Sequence, residues 1–142
     1  MPDAAATEAL GAALAAGLVP GRVIHLRGDL GTGKTTVVRG LLRALGYAGR
    51  VRSPTYTLVE PYALSRLHLY HFDLYRLKNE NEWRESGFQE YFGADSVCAV
   101  EWPERAGGLL PPPDLEVRLE AAGSGRRARL SGEPWVSSLR LP

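Results

Sequence analysis

The segment GDLGTGKT at residues 28–35 constrains this chain more than any other, because it fits the phosphate-loop pattern G-x-x-x-x-G-K-[ST]. An apolar run at residues 23–26 precedes the segment, and apolar residues at helical spacing follow it until Gly46. In the order strand, glycine-rich loop and helix, loop N–H groups and the positive end of the helix face the same anion. The segment therefore predicts a site for nucleotide phosphates.

Two residues inside the loop and two carboxylates elsewhere suit the chemistry of such a site. Lys34 is one of only two lysines, and it stands where a side chain reaches the β- and γ-phosphates, while the Thr35 hydroxyl can bind Mg²⁺. Glu101 follows the apolar run at residues 97–100, and Asp73 follows an alternating run from Leu67. Because ligands of parallel sheets bind at the carboxyl ends of strands, we expect both carboxylates near the metal.

The remaining pattern predicts an α/β protein of three layers. Residues 3–16 read as an Ala-rich helix capped by Asp3, residues 50–59 as an extended segment with a turn, and residues 80–91 as a helix. Residues 115–119 and 127–130 read as a hairpin. We expect a P-loop NTPase fold with a mixed, mostly parallel central sheet and an antiparallel C-terminal hairpin, with residues 1–142 as a single P-loop ATPase domain.

Composition excludes several other classes of protein. The net charge of +1 provides no global basic field for nucleic acid, and one cysteine, Cys98, excludes an intramolecular disulfide and a multi-cysteine zinc site. The longest apolar run is about half a membrane span, and no basic start precedes it, so we expect a cytoplasmic protein without membrane contact. The N-K-x-D signature of guanine-specific GTPases does not occur.

Three further features of the sequence each have two possible interpretations. Ser53, Pro54 and Thr55 form either a switch-like loop that senses the γ-phosphate or an ordinary turn. Trp102 is placed to stack near a base or a partner protein. His71, at alternating spacing, is either a ligand or base, or a packed core residue.

Four motifs together resemble the TsaE (YjeE) family. They are GDLGTGKTT at 28–36, SPTYTLVE at 53–60, HFDLYR at 71–76 and VEWPE at 100–104. The motifs stand in order over nearly the whole chain, and Thr32 occupies a position where alanine is frequent in the family. The resemblance implies a small bacterial ATPase needed to make threonylcarbamoyladenosine in tRNA. It also implies docking on the TsaB–TsaD carbamoyl-transfer assembly, which ATP hydrolysis would reset, with tRNA contacted indirectly through that complex.

The resemblance also implies roles for individual residues. Thr35 and Glu101 would hold Mg²⁺, with Asp73 assisting the metal or its water, so that Lys34, Asp73 and Glu101 form the expected catalytic group. The adenine would approach Ala4 and Thr7, with Arg126 near the nucleotide. The phosphates of ATP would be bound by the loop residues Gly31, Thr32, Gly33, Lys34, Thr35 and Thr36.

Two other functions use the same residues and stay open at the level of sequence. A small-molecule kinase would need the same phosphate loop and carboxylates, and a nucleotide-dependent scaffold would need binding without hydrolysis. For an ATPase, we expect weak activity of the isolated chain, because no residue cluster supplies a complete water-activating and arginine-finger set.

Overall fold

The computed structural model describes residues 3–65 and 67–132. Its helices are α1 (Ala4–Ala15), α2 (Lys34–Ala44) and α3 (Glu80–Ser86), and two 3₁₀ segments span Phe88–Tyr91 and Pro103–Leu109. Its strands are β1 (Val23–Arg27), β2 (Val59–Ala63), β3 (His68–Asp73), β4 (Ser96–Glu101), β5 (Leu115–Ala122) and β6 (Gly125–Gly132). No helix among these residues is long and apolar enough to cross a membrane.

The strands form one sheet in the order β2-β3-β4-β1-β5-β6. β3, β4, β1 and β5 are parallel to one another, whereas β2 and β6 run antiparallel to β3 and β5. The predicted mixed, mostly parallel sheet with an antiparallel C-terminal hairpin is therefore confirmed. Strand β2 was not anticipated as a strand, because the extended segment was expected to lie at residues 50–59.

Helices α1 and α2 cover one face of the sheet, here called the helix face. Gly11 and Gly40 let the two helices approach closely: a Cβ on Gly40 would lie 1.9 Å from the Glu8 carbonyl oxygen. Ile24 and Leu26 of β1 point to this face. Its buried core also includes Leu10, Leu14, Val37, Val38, Leu41, Leu42, Leu69, Val97, Ala99, Leu115, Val117 and Leu119.

Helix α3 and the two 3₁₀ segments cover the other face of β3 and β4, here called the aromatic face. Trp83 and Phe72 are fully buried there, with ring centroids 5.9 Å apart. Phe88 and Phe92 pack on the same rings. The two covering layers and the sheet between them confirm the predicted three-layer α/β fold.

Local sequence signals explain most of the boundaries. Asp3 caps α1 by accepting the Ala6 N–H at 2.9 Å, as predicted. The predicted helix at residues 80–91 is interrupted, because Gly87 adopts a left-handed conformation with φ of 77°. The chain continues beyond it as a 3₁₀ turn, which brings Phe88 onto the aromatic face.

Candidate nucleotide-binding site

The carboxyl edge of the parallel strands brings the four predicted chemical residues together. β1 ends at Arg27 and leads into the loop at residues 28–33, and α2 begins at Lys34. In the sheet register, Glu101 pairs with both Leu26 and Asp73. The two carboxylates therefore end neighbouring strands beside the start of the phosphate loop, as the strand-end argument predicts.

The loop backbone has the conformation that its glycines permit. Gly28, Gly31 and Gly33 have φ values of 148°, 77° and 104°, a region that side chains disfavour. A Cβ on Gly28 would lie 2.6 Å from the Leu119 carbonyl oxygen, so β5 restricts that position to glycine. No side chain caps the N-terminus of α2. Its first-turn N–H groups are thus available to an anion.

Lys34 is buried, with 4% of its surface exposed. Its Nζ donates hydrogen bonds to the carbonyl oxygens of Gly28 and Asp29, the latter at 2.9 Å, and lies 4.4 Å from the centre of the Trp102 ring. Burial lowers the pKa of this ammonium group, against the opposing effect of Glu101. The loop carbonyls thus hold the ammonium where phosphate oxygens can replace them.

Thr35 and Glu101 are in direct contact. The Thr35 hydroxyl donates to Glu101 Oε2 at 2.8 Å, and Glu101 is buried. Asp73, beside Glu101, accepts the Tyr75 N–H at 3.0 Å, and burial raises the pKa of its carboxyl group. One hydroxyl and two adjacent carboxylates are hard oxygen donors of the kind Mg²⁺ prefers.

Residues 3–65 and 67–132 contain no group of three His, Cys, Asp or Glu side chains that could hold a metal ion alone. This fits Mg²⁺ at a nucleotide site, because Mg²⁺ there takes one or two carboxylates together with substrate phosphates and water. The donor set at Thr35, Glu101 and Asp73 is therefore compatible with a magnesium ion that arrives with a nucleotide.

An open cavity of about 510 Å³, the phosphate-side cavity, lies over these residues. Ser53 and Thr55 line it, and their hydroxyl oxygens are 2.8 Å apart, while Pro54 between them is buried. The cavity is otherwise lined by Leu30, Gly31, Gly33, Lys34, Thr35, Thr36, Asp73, Tyr75, Arg76, Glu101 and Trp102.

A second cavity of about 300 Å³, the helix-side cavity, lies between the loop and α1. Arg126 reaches it from the β5–β6 hairpin and donates to the Gly31 carbonyl oxygen at 3.0 Å. The Thr32 hydroxyl donates a hydrogen bond to the Asp29 carbonyl oxygen at 2.8 Å, which stabilises the loop turn. The lining residues are Asp3, Ala4, Thr7, Gly31, Thr32, Gly33, Thr36, Ser124 and Arg126.

The two cavities share residues of the phosphate loop, and the other residues predicted to contact the nucleotide line one cavity or the other. Ala4, Thr7 and Arg126, predicted near the adenine and nucleotide, line the helix-side cavity. Trp102 lines the phosphate-side cavity, where its ring packs 4.9 Å from that of Tyr75. Trp102 therefore lines a different cavity from the residues predicted to lie near the adenine.

The structure brings two further residues to the site: Arg76, which sequence reasoning missed, and His71, which it left open between a ligand or base and a packed core residue. Arg76 lines the phosphate-side cavity, and its guanidinium lies 4.8 Å from the centre of the Tyr56 ring. His71 is fully buried, as the packed-core interpretation predicted, but its Nε2 also lies 2.6 Å from Glu101 Oε2. Both residues belong to the HFDLYR motif at 71–76, which was the signal that could have found them.

Comparison with known proteins agrees with this arrangement. The family described as "Threonylcarbamoyl adenosine biosynthesis protein TsaE" matches residues 1–129. The tRNA threonylcarbamoyladenosine biosynthesis protein TsaE of Haemophilus influenzae is 45% identical over 108 residues, which are 76% of this chain and 68% of that protein. The protein of the same name from Bacillus subtilis is 40% identical over 121 residues, covering 85% and 75% of the two chains.

A solved structure is also similar to this fold. The crystal structure of Bacillus subtilis YdiB superposes with a TM-score of 0.75 at 34% sequence identity, covering 90% of this chain and 78% of that one. The chain belongs to the TsaE family, which serves the biosynthesis of threonylcarbamoyladenosine in tRNA.

Proposed function

We propose that residues 1–142 form a single Mg²⁺-dependent ATPase domain that hydrolyses ATP for the threonylcarbamoyladenosine modification of tRNA. In this proposal the chain acts in the cytoplasm, docks on the TsaB–TsaD assembly and uses hydrolysis to reset it, and it contacts tRNA indirectly through that complex. The observation that carries the proposal is the Thr35–Glu101 hydrogen bond beside the buried Lys34 at the end of the phosphate loop.

The hydrogen bonds of Lys34 within the phosphate loop support the binding of ATP. Lys34 would exchange the carbonyl oxygens of Gly28 and Asp29 for β- and γ-phosphate oxygens, which are better acceptors because they are charged. The backbone N–H groups at residues 31–36 would bind the same phosphates. The base would then lie in the helix-side cavity, beside Ala4, Thr7 and Arg126.

Hydrolysis requires little covalent chemistry from the protein, so positioning and neutralisation of charge dominate. Thr35 and Glu101 would hold Mg²⁺, with Asp73 beside them, and the bound ion would neutralise charge on the phosphate oxygens. Ser53 and Thr55 place two hydroxyls at the phosphate-side cavity, where they can respond to the γ-phosphate. Asp73 is the carboxylate placed to orient the attacking water.

Dependence on partners is supported by exposed apolar groups near the phosphate-side cavity. Leu30, at the tip of the loop, is 65% exposed, and Tyr56, which contacts Arg76 of the cavity lining, is 83% exposed. Burial of these apolar groups by another protein would stabilise a complex at this site. Such a partner would close the cavity and complete the catalytic set.

The test measures ATP hydrolysis by the purified chain with and without TsaB, TsaD and tRNA. We expect turnover well below ~1 per second alone and stimulation by the partners. Lys34→Ala should weaken ATP binding by about 10- to 100-fold, because it removes hydrogen bonds from a charged donor. Lys78→Ala is the matched control, since Lys78 is exposed and is the one other lysine in the chain.

Three outcomes would contradict the proposal. Fast turnover by the isolated chain that partners do not change would exclude the resetting role. Phosphate transferred to an added metabolite rather than to water would favour a small-molecule kinase. If Glu101→Ala binds ATP, does not hydrolyse it and still supports tRNA modification, the chain is a nucleotide-dependent scaffold.

A further inference from the structure

His71 contacts the residue at the centre of the proposed metal site without reaching the cavity itself. It lies on β3, beside Ala99 of β4 in the sheet register, and its side chain is 0% exposed. Its Nε2 is 2.6 Å from Glu101 Oε2, and since a carboxylate accepts, the ring N–H donates. Neighbouring parallel strands thus place a buried donor against the carboxylate.

The same carboxylate oxygen accepts a second hydrogen bond, from the Thr35 hydroxyl at 2.8 Å. Thr35 and Glu101 are both proposed ligands, so the geometry of their hydrogen bond must adjust when a cation binds them. His71 does not line the phosphate-side cavity, and its bond to Glu101 can persist through that change. His71 therefore provides the carboxylate with a hydrogen bond from a residue that is not itself a proposed metal ligand.

A packing role alone does not explain a histidine at this position. Leu69 and Phe72, its neighbours on β3, are apolar and also fully buried. His71 Nδ1 has no hydrogen-bond partner among the described residues, and burying an unpaired polar atom costs free energy. The contact with Glu101 is the interaction that offsets this cost and that a leucine could not make.

We propose that His71 is a positioning residue, which fixes the Glu101 carboxylate for Mg²⁺ through the Nε2–Oε2 hydrogen bond. The inference rests on the proposed function, because it takes Glu101 as a metal ligand. Carboxylates that bind metals are themselves held by hydrogen bonds, and loss of such a support typically weakens metal binding by about 10- to 100-fold.

The test is a titration with Mn²⁺, observed by electron paramagnetic resonance, in the presence of a non-hydrolysable ATP analogue. His71→Leu removes the donor at similar volume, and we expect the Kd for Mn²⁺ to rise by about tenfold or more. His71→Gln places an amide N–H near the position of Nε2, and its Kd should stay within about threefold of wild type. The metal-free affinity for the analogue should stay the same in both variants.

A matched variant separates positioning from stability. Leu69→Ala, on the same strand and helix face, should lower stability and leave the Kd for Mn²⁺ unchanged. The inference fails if His71→Leu binds Mn²⁺ as wild type does, if His71→Gln loses as much as His71→Leu, or if Leu69→Ala loses affinity equally. Failure of wild type itself to bind Mn²⁺ with the analogue would instead contradict the proposed function.

A measurement on the unchanged His71 keeps the inference testable if His71→Leu does not fold. In ¹H–¹⁵N spectra optimised for histidine side chains, wild type should show a slowly exchanging Nε2–H signal from His71. That signal should shift in Glu101→Gln, and it should persist when Mg²⁺ and the analogue are added. A signal from Nδ1–H instead, or one that Glu101→Gln leaves in place, would overturn the inference.

Discussion

The two faces of the sheet are covered in different ways, and the difference separates ligand binding from stability. On the helix face, two helices cross at glycines, and each contributes residues to a cavity: Thr7 from α1 and Thr35 from α2. On the aromatic face, rings such as Trp83 and Phe72 fill the space between the sheet and short turns. The layer on the helix face depends on the close approach of the α1 and α2 backbones, whereas the layer on the aromatic face depends on the volume of its side chains.

The two faces also each bury a histidine, with opposite outcomes. His71 points to the helix face and is hydrogen-bonded to Glu101. His25 alternates with Ile24 and Leu26, which point to the helix face, and so it lies on the opposite face of β1. Neither ring nitrogen of His25 has a side-chain hydrogen-bond partner among the described residues. A buried polar residue is thus tied to the candidate site on one face and is a cost on the other.

The largest expected effect is a loss of stability on the aromatic face. Trp83→Ala removes a fully buried ring and should lower the free energy of unfolding by about 3–5 kcal/mol, measured by urea denaturation. Trp83 itself lines neither cavity, although Trp102 of the same cluster lines the phosphate-side cavity, so the folded fraction should bind an ATP analogue with unchanged Kd. Trp83→Phe, which keeps an aromatic contact with Phe72, is the milder control.

A smaller change on the helix face should affect both properties. Gly40→Ala introduces a Cβ 1.9 Å from the Glu8 carbonyl oxygen, so α1 must move, at a cost of about 1–3 kcal/mol. That movement displaces Ala4 and Thr7 from the helix-side cavity, and the Kd for an ATP analogue should rise. Calorimetric titration of the analogue checks the effect on binding.

Gly93→Ala is the control for Gly40→Ala, because a Cβ there meets nothing within 4 Å. It should change the free energy of unfolding by less than about 0.5 kcal/mol and leave binding as in wild type. Equal losses of affinity in Trp83→Ala and Gly40→Ala would refute the distinction between the two faces.

The last prediction concerns pH and His25. Burial, aided by the Arg27 charge and opposed by Glu116, the Pro111 backbone and Glu104, lowers the pKa of His25 to about 4, against 6.5 for the ordinary group. Below pH 6.5 the unfolded chain therefore binds a proton that the folded chain does not. His25 should cost stability as the pH falls from 6.5 to 4, by at most about 1.4 kcal/mol per pH unit.

Urea denaturation between pH 4 and 7 measures that dependence. His25→Leu should flatten this part of the profile, whereas substitution of the exposed His68 by Gln should leave its slope as in wild type. A profile that is equally steep in wild type and His25→Leu would assign the acid sensitivity to other groups.

The sequence predicted those parts of the molecule that local rules govern. Asp3 caps α1, the loop and α2 follow β1, and β4 and β5–β6 lie where apolar runs and alternation place them. Strand β2 escaped prediction because its pairing with β3 compensates for a weak local signal that includes Pro61. An edge strand tolerates a proline that an interior strand would not.

For the candidate site, the loop residues and both strand-end carboxylates were predicted, whereas their supporting contacts were not. The bond between His71 and Glu101 joins residues 30 positions apart and depends on β3 lying beside β4. The stacking of Arg76 on Tyr56 likewise depends on how the segment before β2 returns to the site. A periodic pattern shows which way a side chain points, but it does not show which strand is its neighbour.

The hydrogen bond from Arg126 to Gly31 spans 95 positions of sequence, and β5 restricts Gly28 as well. A nascent chain that has left the ribosome only as far as β4 already carries the phosphate loop, Asp73 and Glu101. It still lacks the two contacts that β5 and β6 make with the loop. Because closure of distant segments comes late in folding, the loop should reach its final shape only after the last hairpin has been synthesised. Nucleotide binding during translation would therefore report formation of the β5–β6 hairpin rather than emergence of the phosphate loop.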